Sequence, residues 1–273
     1  MISFPNAKIN LGLHITEKRP DGFHNLETVF LPVGWSDALE FVEADKFRFT
    51  TSGIPISGDP ETNLVVKAYR LLKRDFQIPE LNIHLHKQIP FGAGLGGGSS
   101  DAAFMLRMLD KAFHLALPDE KLMAYAAVLG SDCPFFIRNK PVYATGRGEI
   151  MQETTVSLNG MFILLVKPPV EVSTAKAFQR IVPEKSGISL PELLRLPVQE
   201  WKNKVVNQFE SSVFPQYPEI EALKQNLYDS GAIYASMSGS GSCVFGLFQD
   251  DPNPDERLFP APYLTFKQRF SFH

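Results

Sequence analysis

The sequence predicts an α+β protein of two domains, and three observations carry the prediction. The chain has 273 residues, more than one ordinary domain of roughly 100–200 residues needs. Residues 1–90 hold five short segments of strand-like composition, and the segments that follow switch to helical spacing of their apolar residues. Past residue 160 apolar runs and helical segments again share the chain, so both halves mix strands with helices. A boundary is placed in the polar stretch 152–159, giving domains 1–155 and 156–273. At 44% hydrophobic and 21% charged residues, the composition is that of a globular protein rather than a disordered one.

The elements follow in chain order. Strands are expected over residues 7–15, 29–33, 38–42, 47–51 and 81–86, where β-branched and aromatic residues gather. Asn63 is a suitable cap for a helix carrying Val65, Ala68, Tyr69, Leu71 and Leu72 on one face. A glycine cluster then leads into Asp101-Ala102-Ala103-Phe104-Met105-Leu106, a helix apolar on most of its circumference. Pro118 and Gly130 bracket the next helix, since proline fits a first turn and glycine a C-terminal stop. A strand over 162–166 halts at Pro168-Pro169. Helices are expected over 173–181, 190–196 and 218–230, with a strand over 243–248. No internal repeat or low-complexity segment interrupts this order.

Charge and cysteine usage exclude several classes. With 27 Lys+Arg against 30 Asp+Glu the net charge is −3, unlike a surface built to grip nucleic acid or anionic lipid. The candidate apolar run 161–166 stops at Lys167, far short of the roughly 20 residues of a membrane span. The start, MISFPNAKINLGL, lacks a basic segment followed by an apolar one, so no secretory signal is expected. Cys133 and Cys243 are far apart and lack metal-ligand spacing, which fits free thiols in a reducing cytoplasm. His84 and His86 share one strand face, but no third ligand is suggested nearby and no metal is expected there. A monomeric or weakly dimeric chain with neither membrane nor nucleic-acid partner is the expectation, and a small anionic ligand held by a few local charges is not excluded.

The segment Pro90-Phe91-Gly92-Ala93-Gly94-Leu95-Gly96-Gly97-Gly98-Ser99-Ser100 joins a strand to the apolar helix. Glycines permit positive φ and let a ligand approach the main chain, and positive φ is expected as far as Gly97. The helix start offers unpaired N–H groups and a partial positive charge, so the loop reads as a phosphate cradle. The alternative is a ligand-free hinge. A Walker A loop is excluded because Gly98 precedes Ser99-Ser100 with no lysine. A dinucleotide fingerprint would stand at the first strand–helix turn rather than at residue 92.

Three further motifs accompany the loop: Pro5-Asn6-Ala7-Lys8-Ile9-Asn10-Leu11, Leu129-Gly130-Ser131-Asp132-Cys133-Pro134-Phe135-Phe136, and Met237-Ser238-Gly239-Ser240-Gly241-Ser242-Cys243. In this order the set resembles the GHMP family of small-molecule kinases. Arg19-Pro20-Asp21-Gly22-Phe23-His24 narrows the resemblance to members acting on a cytidine-diphosphate-linked methylerythritol in the non-mevalonate isoprenoid pathway. The resemblance implies a ribosomal protein S5 domain 2-like N-terminal domain and a ferredoxin-like C-terminal α/β sandwich. It also implies ATP-dependent phosphorylation of the substrate's 2-hydroxyl with Mg2+. Kinases for homoserine or mevalonate are the alternative within the family, and a nucleotide-binding module without turnover is the alternative outside it.

The same resemblance distributes roles. Asp132 would be the general base and Lys8 its companion, keeping the carboxylate ionised and countering charge on the attacking oxygen. Read without the family, Asp132 is equally an N-cap and Lys8 an edge-strand lysine in solvent. Asn10, two residues along from Lys8, would bind substrate hydroxyls. Phe23 and Phe178 would sandwich the cytosine, His24 would hydrogen-bond it, and Thr174 would touch the nucleotide side. Relatives often carry Tyr where this chain has Phe23. Phe178 reads alternatively as a core residue and His24 as a turn residue. For ATP, Pro90 and Gly92–Ser100 (Gly92, Ala93, Gly94, Leu95, Gly96, Gly97, Gly98, Ser99, Ser100) would hold phosphates, with Asn63, Leu64 and Lys87 near the base. Their alternatives are a helix cap, a core leucine and a solvated strand lysine. The family pattern departs after Phe248, where the acidic, proline-broken segment 250–256 stands in place of a longer helix and strand.

Overall fold

A computed structural model of the chain describes residues 1–184, 187–253 and 256–271. The chain divides into two compact units, each assembled from several stretches of sequence: residues 1–8, 32–90 and 96–140 form one, and 9–31, 91–95 and 141–273 form the other.

The first unit is built on the sheet β1 (Ile2–Ser3), β4 (Ala38–Glu43), β6 (Leu81–Lys87) and β5 (Arg48–Gly53), in that order. Strand β6 pairs antiparallel with β4 and parallel with β5. A parallel pair needs a crossover, and helix α1 (Leu64–Asp75) supplies it. Its apolar face buries Val65, Val66, Tyr69 and Leu72. Helix α2 (Gly97–Ala112) packs against α1, α3 (Asp119–Leu129) and α4 (Cys133–Arg138). Hence α2 buries most of its circumference, as the run of Ala, Met and Leu requires.

The second unit contains the sheet β10 (Tyr234–Met237), β11 (Val244–Phe248), β9 (Phe162–Lys167) and β12 (Leu264–Arg269), wholly antiparallel. Every residue of β11 is buried, which explains its unbroken apolar run. Helix α8 (Pro218–Asp229) packs on β10 and β11. Ile220, Leu223 and Leu227 of α8 join Leu164, Val166, Val244 and Phe248 in one core. A third sheet, β2 (Asn6–Lys18), β3 (His24–Ser36), β7 (Val142–Thr145) and β8 (Ile150–Glu153), includes two long strands whose residues belong to both units. Three short helices, α5 (Thr174–Phe178), α6 (Leu190–Leu193) and α7 (Glu210–Val213), complete the set.

The expected strands and helices are present, with differences that have physical reasons. The helices expected over 173–181 and 190–196 are cut to α5 and α6, segments rich in short-range turns. Strands β1, β7, β8, β10 and β12 were not expected. In β12 apolar residues do not alternate cleanly, and it is largely exposed at the sheet edge beside β9, where burial imposes little pattern. It closes the sheet beyond the acidic segment 250–256, of which Pro254 and Asp255 lie outside the described residues. Both cysteines are buried free thiols, pushed up by burial to about 11 for Cys133 and about 12 for Cys243. Among the described residues no helix is long and apolar enough to cross a membrane.

Candidate active site

The glycine loop alternates its backbone. Gly92, Gly94 and Gly96 have φ of +57°, +71° and +69°. Gly97 does not continue the series as expected: it is the first residue of α2, with helical neighbours. In the second unit, the first half of the loop is tied to the chain around 238–243. Ser242 and Cys243 donate their N–H groups to the carbonyls of Gly92 and Ala93, both at 3.2 Å, and Ser238 Oγ donates to the Gly94 carbonyl at 2.9 Å. A Cβ on Gly94 would lie 1.9 Å from the Ser238 carbonyl oxygen, so only glycine permits this approach. Ala93 and Leu95 are buried.

In the first unit, Gly96 caps α2 and Ser100 donates the first helical hydrogen bond back to it at 2.9 Å. The amides of Gly97, Gly98 and Ser99 therefore precede the helical ladder, at the positive end of a 16-residue helix. Ser100 Oγ is buried without a hydrogen-bond partner. This is an anion-binding geometry made of backbone.

Beside it stands the lysine of β2. Lys8 is only 4% exposed, so the solvated edge-strand reading fails. Its Nζ is 3.6 Å from Asp132 Oδ2, whose side chain is one-third exposed at 33%. Burial holds the Lys8 ammonium below its ordinary value of 10.5, and the Asp132 charge opposes that fall. Asp132 occupies the N-cap position of α4, yet its side chain makes no capping hydrogen bond. The Gly130 carbonyl accepts from the Cys133 N–H at 3.2 Å and closes the turn. A carboxylate paired with a buried ammonium and open to solvent on its other side is available to a ligand. The Lys8 stem also lies 3.2 Å from where a Gly96 Cβ would be, which brings the lysine to the helix start.

The residues expected at the acceptor lie in the second unit. Asn10 is buried and donates through Nδ2 to Thr28 Oγ1 at 2.9 Å, and Thr28 donates on to the Gly12 carbonyl at 2.6 Å. Phe23 is 55% exposed, with the Arg147 guanidinium 4.9 Å from its ring centre. Its loop is shaped by Asp21, which accepts from the Phe23 N–H at 3.1 Å and pairs with Arg19 at 2.9 Å. Phe178 stacks on His24 with centroids 4.7 Å apart and an 18° tilt, and meets the Phe209 ring edge to face at 4.8 Å. It is half-buried against the core, in keeping with its core reading, and one face of its ring is taken by His24. Burial, then Lys18, holds His24 below its ordinary value. Thr174 Oγ1 is 3.0 Å from Ser240 Oγ, joining α5 to the small-residue loop after β10.

Among the residues expected at the ATP base, Asn63 is a cap: its Oδ1 accepts from the Val65 N–H at 2.9 Å. Leu64 is half-buried, its Cδ1 3.8 Å from where a Gly98 Cβ would be. Lys87 differs from its solvated reading. It is 1% exposed, and its ammonium is bound by Asp37 and by Asp101, the latter at 2.8 Å.

Sequence reasoning missed Asp37, Asp101 and Asn207. Asn207 is buried and donates through Nδ2 to the carbonyls of Met237 and Gly239 at 2.7 and 2.8 Å. The Met237 N–H is held by Glu210 at 2.8 Å. The one available signal was a polar residue beside Val205-Val206, too common to single out. For Mg2+, the described residues contain no group of three or more His, Cys, Asp or Glu placed to hold an ion. The donors here fit only an ion carried in on phosphate oxygens, with the Ser99 and Ser100 hydroxyls nearby.

Comparison with known proteins accords with this arrangement. The model of the GHMP kinases N terminal domain matches residues 63–140, and that of the GHMP kinases C terminal domain matches residues 189–258. The chain is 60% identical over 276 residues to a 4-diphosphocytidyl-2-C-methyl-D-erythritol kinase of Bacteroides fragilis, covering 100% of this chain and 98% of that one. It superposes with a TM-score of 0.77 and 31% identity on the crystal structure of a 4-(cytidine 5'-diphospho)-2C-methyl-D-erythritol kinase, covering 90% of each chain. A mevalonate kinase structure matches at TM-score 0.74 with 12% identity over 98% of each chain, a likeness of fold.

Proposed function

The chain belongs to the GHMP kinase family, and on that premise we propose that it transfers the γ-phosphoryl group of ATP to the 2-hydroxyl of 4-(cytidine 5'-diphospho)-2-C-methyl-D-erythritol. The observation that carries the chemistry is the buried Lys8 ammonium held 3.6 Å from a partly exposed Asp132 carboxylate. In the step, the substrate hydroxyl oxygen forms a bond to the γ-phosphorus while its proton passes to Asp132. The bond from that phosphorus to the bridging oxygen breaks, and its electron pair leaves on ADP. Lys8 counters the negative charge of the attacking oxygen, and the amides of Gly97, Gly98 and Ser99 receive the phosphates. Mg2+ bound to those phosphates would neutralise part of their charge.

Pro90, Gly92–Ser100, Asn63 and Leu64 are assigned to ATP. Asn10, Phe23, His24, Thr174 and Phe178 are assigned to the acceptor, with the two family domains meeting at 155/156, between the matched segments. ADP release measured with the cytidine substrate, homoserine and mevalonate tests the reading. Turnover with the cytidine substrate alone is expected, comparable turnover with homoserine or mevalonate overturns the substrate, and no turnover with any of them overturns the kinase.

Phe178→Ala tests the base stack. It is expected to weaken acceptor binding by about 1–3 kcal/mol, roughly 5- to 150-fold, with the ATP constant held. Because Phe178 also packs on the core, the melting temperature falls as well. Equal loss for both ligands would assign the ring to the core alone.

A pH profile tests Lys8. Burial lowers its proton affinity below that of an ordinary lysine at 10.5, and the mechanism needs the ammonium. Raising the pH removes the proton, so kcat is expected to fall on an alkaline limb that begins below 10.5. A kcat that stays flat through that range would remove the Lys8 charge from the mechanism.

A further inference from the structure

The cluster of Asp37, Lys87 and Asp101 lies buried beneath the glycine loop. The three side chains are 0%, 1% and 3% exposed. They come from three places in the first unit: the turn between β3 and β4, the last residue of β6, and the first turns of α2. Lys87 Nζ bonds Asp101 Oδ2 at 2.8 Å and also bonds Asp37 Oδ2. The other oxygen of Asp37 accepts from the N–H groups of Gln88 and Ile89 at 2.6 and 2.8 Å, so it fixes the chain as it leaves β6 for the glycine loop. The Lys87 ammonium sits 3.0 Å, and Ile89 Cγ2 2.9 Å, from where a Cβ on Gly97 would be. The cluster therefore lies directly under the residue whose amide opens α2.

A stability role alone explains this poorly. Burying ions is costly, and apolar residues of like volume often serve stability as well or better. Two carboxylates share one ammonium, and Asp101 Oδ1 has no hydrogen-bond partner. Burial raises the Asp101 carboxyl to about 8, with Lys87 opposing the rise and Asp37 adding to it. What the cluster does is join both ends of the loop, the exit of β6 and the start of α2, through one ammonium.

We propose that Asp37, Lys87 and Asp101 are positioning residues for ATP: they set the first turn of α2 so that the Gly97–Ser99 amides converge on the phosphates. The Lys87 side chain acts from beneath the backbone and not by touching the nucleotide. The proposal rests on the kinase reading only in taking the ligand to be ATP.

The test is direct titration of the full chain with ATP, beside acceptor KM and thermal melting. Lys87→Met removes the ammonium and is expected to weaken ATP binding up to about 10²-fold, the size of a roughly 1 Å misplacement, while acceptor KM holds. Asp37→Asn should shift ATP binding in the same direction, although Asp37 lies outside the loop. Should Lys87→Met not fold, since it strands the buried carboxyl groups of Asp37 and Asp101, the variant Lys87→Met, Asp37→Asn, Asp101→Asn leaves no charged group in the cluster. It is expected to melt near the wild type and still bind ATP at least tenfold more weakly, a loss that tracks loop geometry. Wild-type ATP affinity in that charge-free variant overturns the proposal, as does a fall in melting temperature with no change in ATP affinity. Failure of the kinase reading looks different: the wild type then binds ATP but turns over no cytidine substrate, and the titrations still decide the role of the cluster.

Discussion

Replacing Asp132 with asparagine is expected to lower kcat by about 10²-fold or more, within the usual range for a general base, while ATP affinity stays close to that of the wild type. Asparagine keeps the volume and the polar contact but cannot take the proton of the acceptor hydroxyl. The side chain makes no capping hydrogen bond, so the substitution removes no cap from α4, although it takes a charge from beside the buried Lys8 ammonium and melting falls to that extent. A turnover loss measured well below the melting temperature then belongs to chemistry and not to folding. The Lys8 ammonium would also lose the Asp132 charge at 3.6 Å, which opposes the fall in its proton affinity that burial causes, so it gives up its proton more readily. Stopped-flow or steady-state ADP release with melting measured in parallel checks this. Turnover near that of the wild type would take Asp132 out of the mechanism.

Gly94→Val is the second large effect. Gly94 has φ of +71°, and its Cβ would meet the Ser238 carbonyl oxygen at 1.9 Å and its carbon at 2.7 Å. A flexible side chain could swing aside, but here the obstacle is backbone. A β-branched residue in the left-handed region costs on the order of 1–3 kcal/mol before any collision. Either the loop leaves the 238–243 segment or that segment moves with it, and ATP binding is expected to fall by about 10²-fold or more. Gly98→Ala is the matched control for space against the protein itself, read by melting, since the Gly98 amide is assigned to the phosphates. Its Cβ would find only Leu64 Cδ1 at 3.8 Å, and alanine in a helix gains up to about 0.5–1 kcal/mol over glycine. Isothermal titration with ATP and melting of both variants separates the two. Equal tolerance at the two positions would show that close approach at Gly94 is not needed. Gly97 is a poorer probe, because its Cβ would press on Lys87 and Ile89 and confound the loop with the buried cluster beneath it.

Much of this was legible in the chain itself, and the reason is local. The glycine loop, the helix start behind it, the strand carrying Lys8 and the Gly-Ser-Asp turn are each contiguous motifs whose chemistry needs no distant partner to be recognised. Helix α1 and its Asn63 cap follow from apolar spacing and a side chain two residues away, both short-range effects. Strand β12 was not legible, because it is an exposed edge whose partner β9 lies about a hundred residues earlier and whose sequence carries no clean alternation. The role of Phe178 was legible only as a choice. A sequence shows one aromatic residue on a short helix, and only packing shows the ring stacked on His24 and set edge-on to Phe209.

By itself, then, the sequence determined the α+β class and marked the glycine loop, Lys8 and Asp132 as candidates, because each of these motifs is written within a few consecutive residues. The tertiary structure alone decided which charges are buried and with whom. Lys8 and Lys87 are both strand lysines, and composition does not say which is buried or with whom. One meets an exposed-sided carboxylate at 3.6 Å and can serve a ligand. The other is enclosed by two carboxylates 50 residues before it and 14 after it, and serves the backbone. Coulomb attraction depends on separation in space and on the local dielectric, and neither is a property of spacing along the chain.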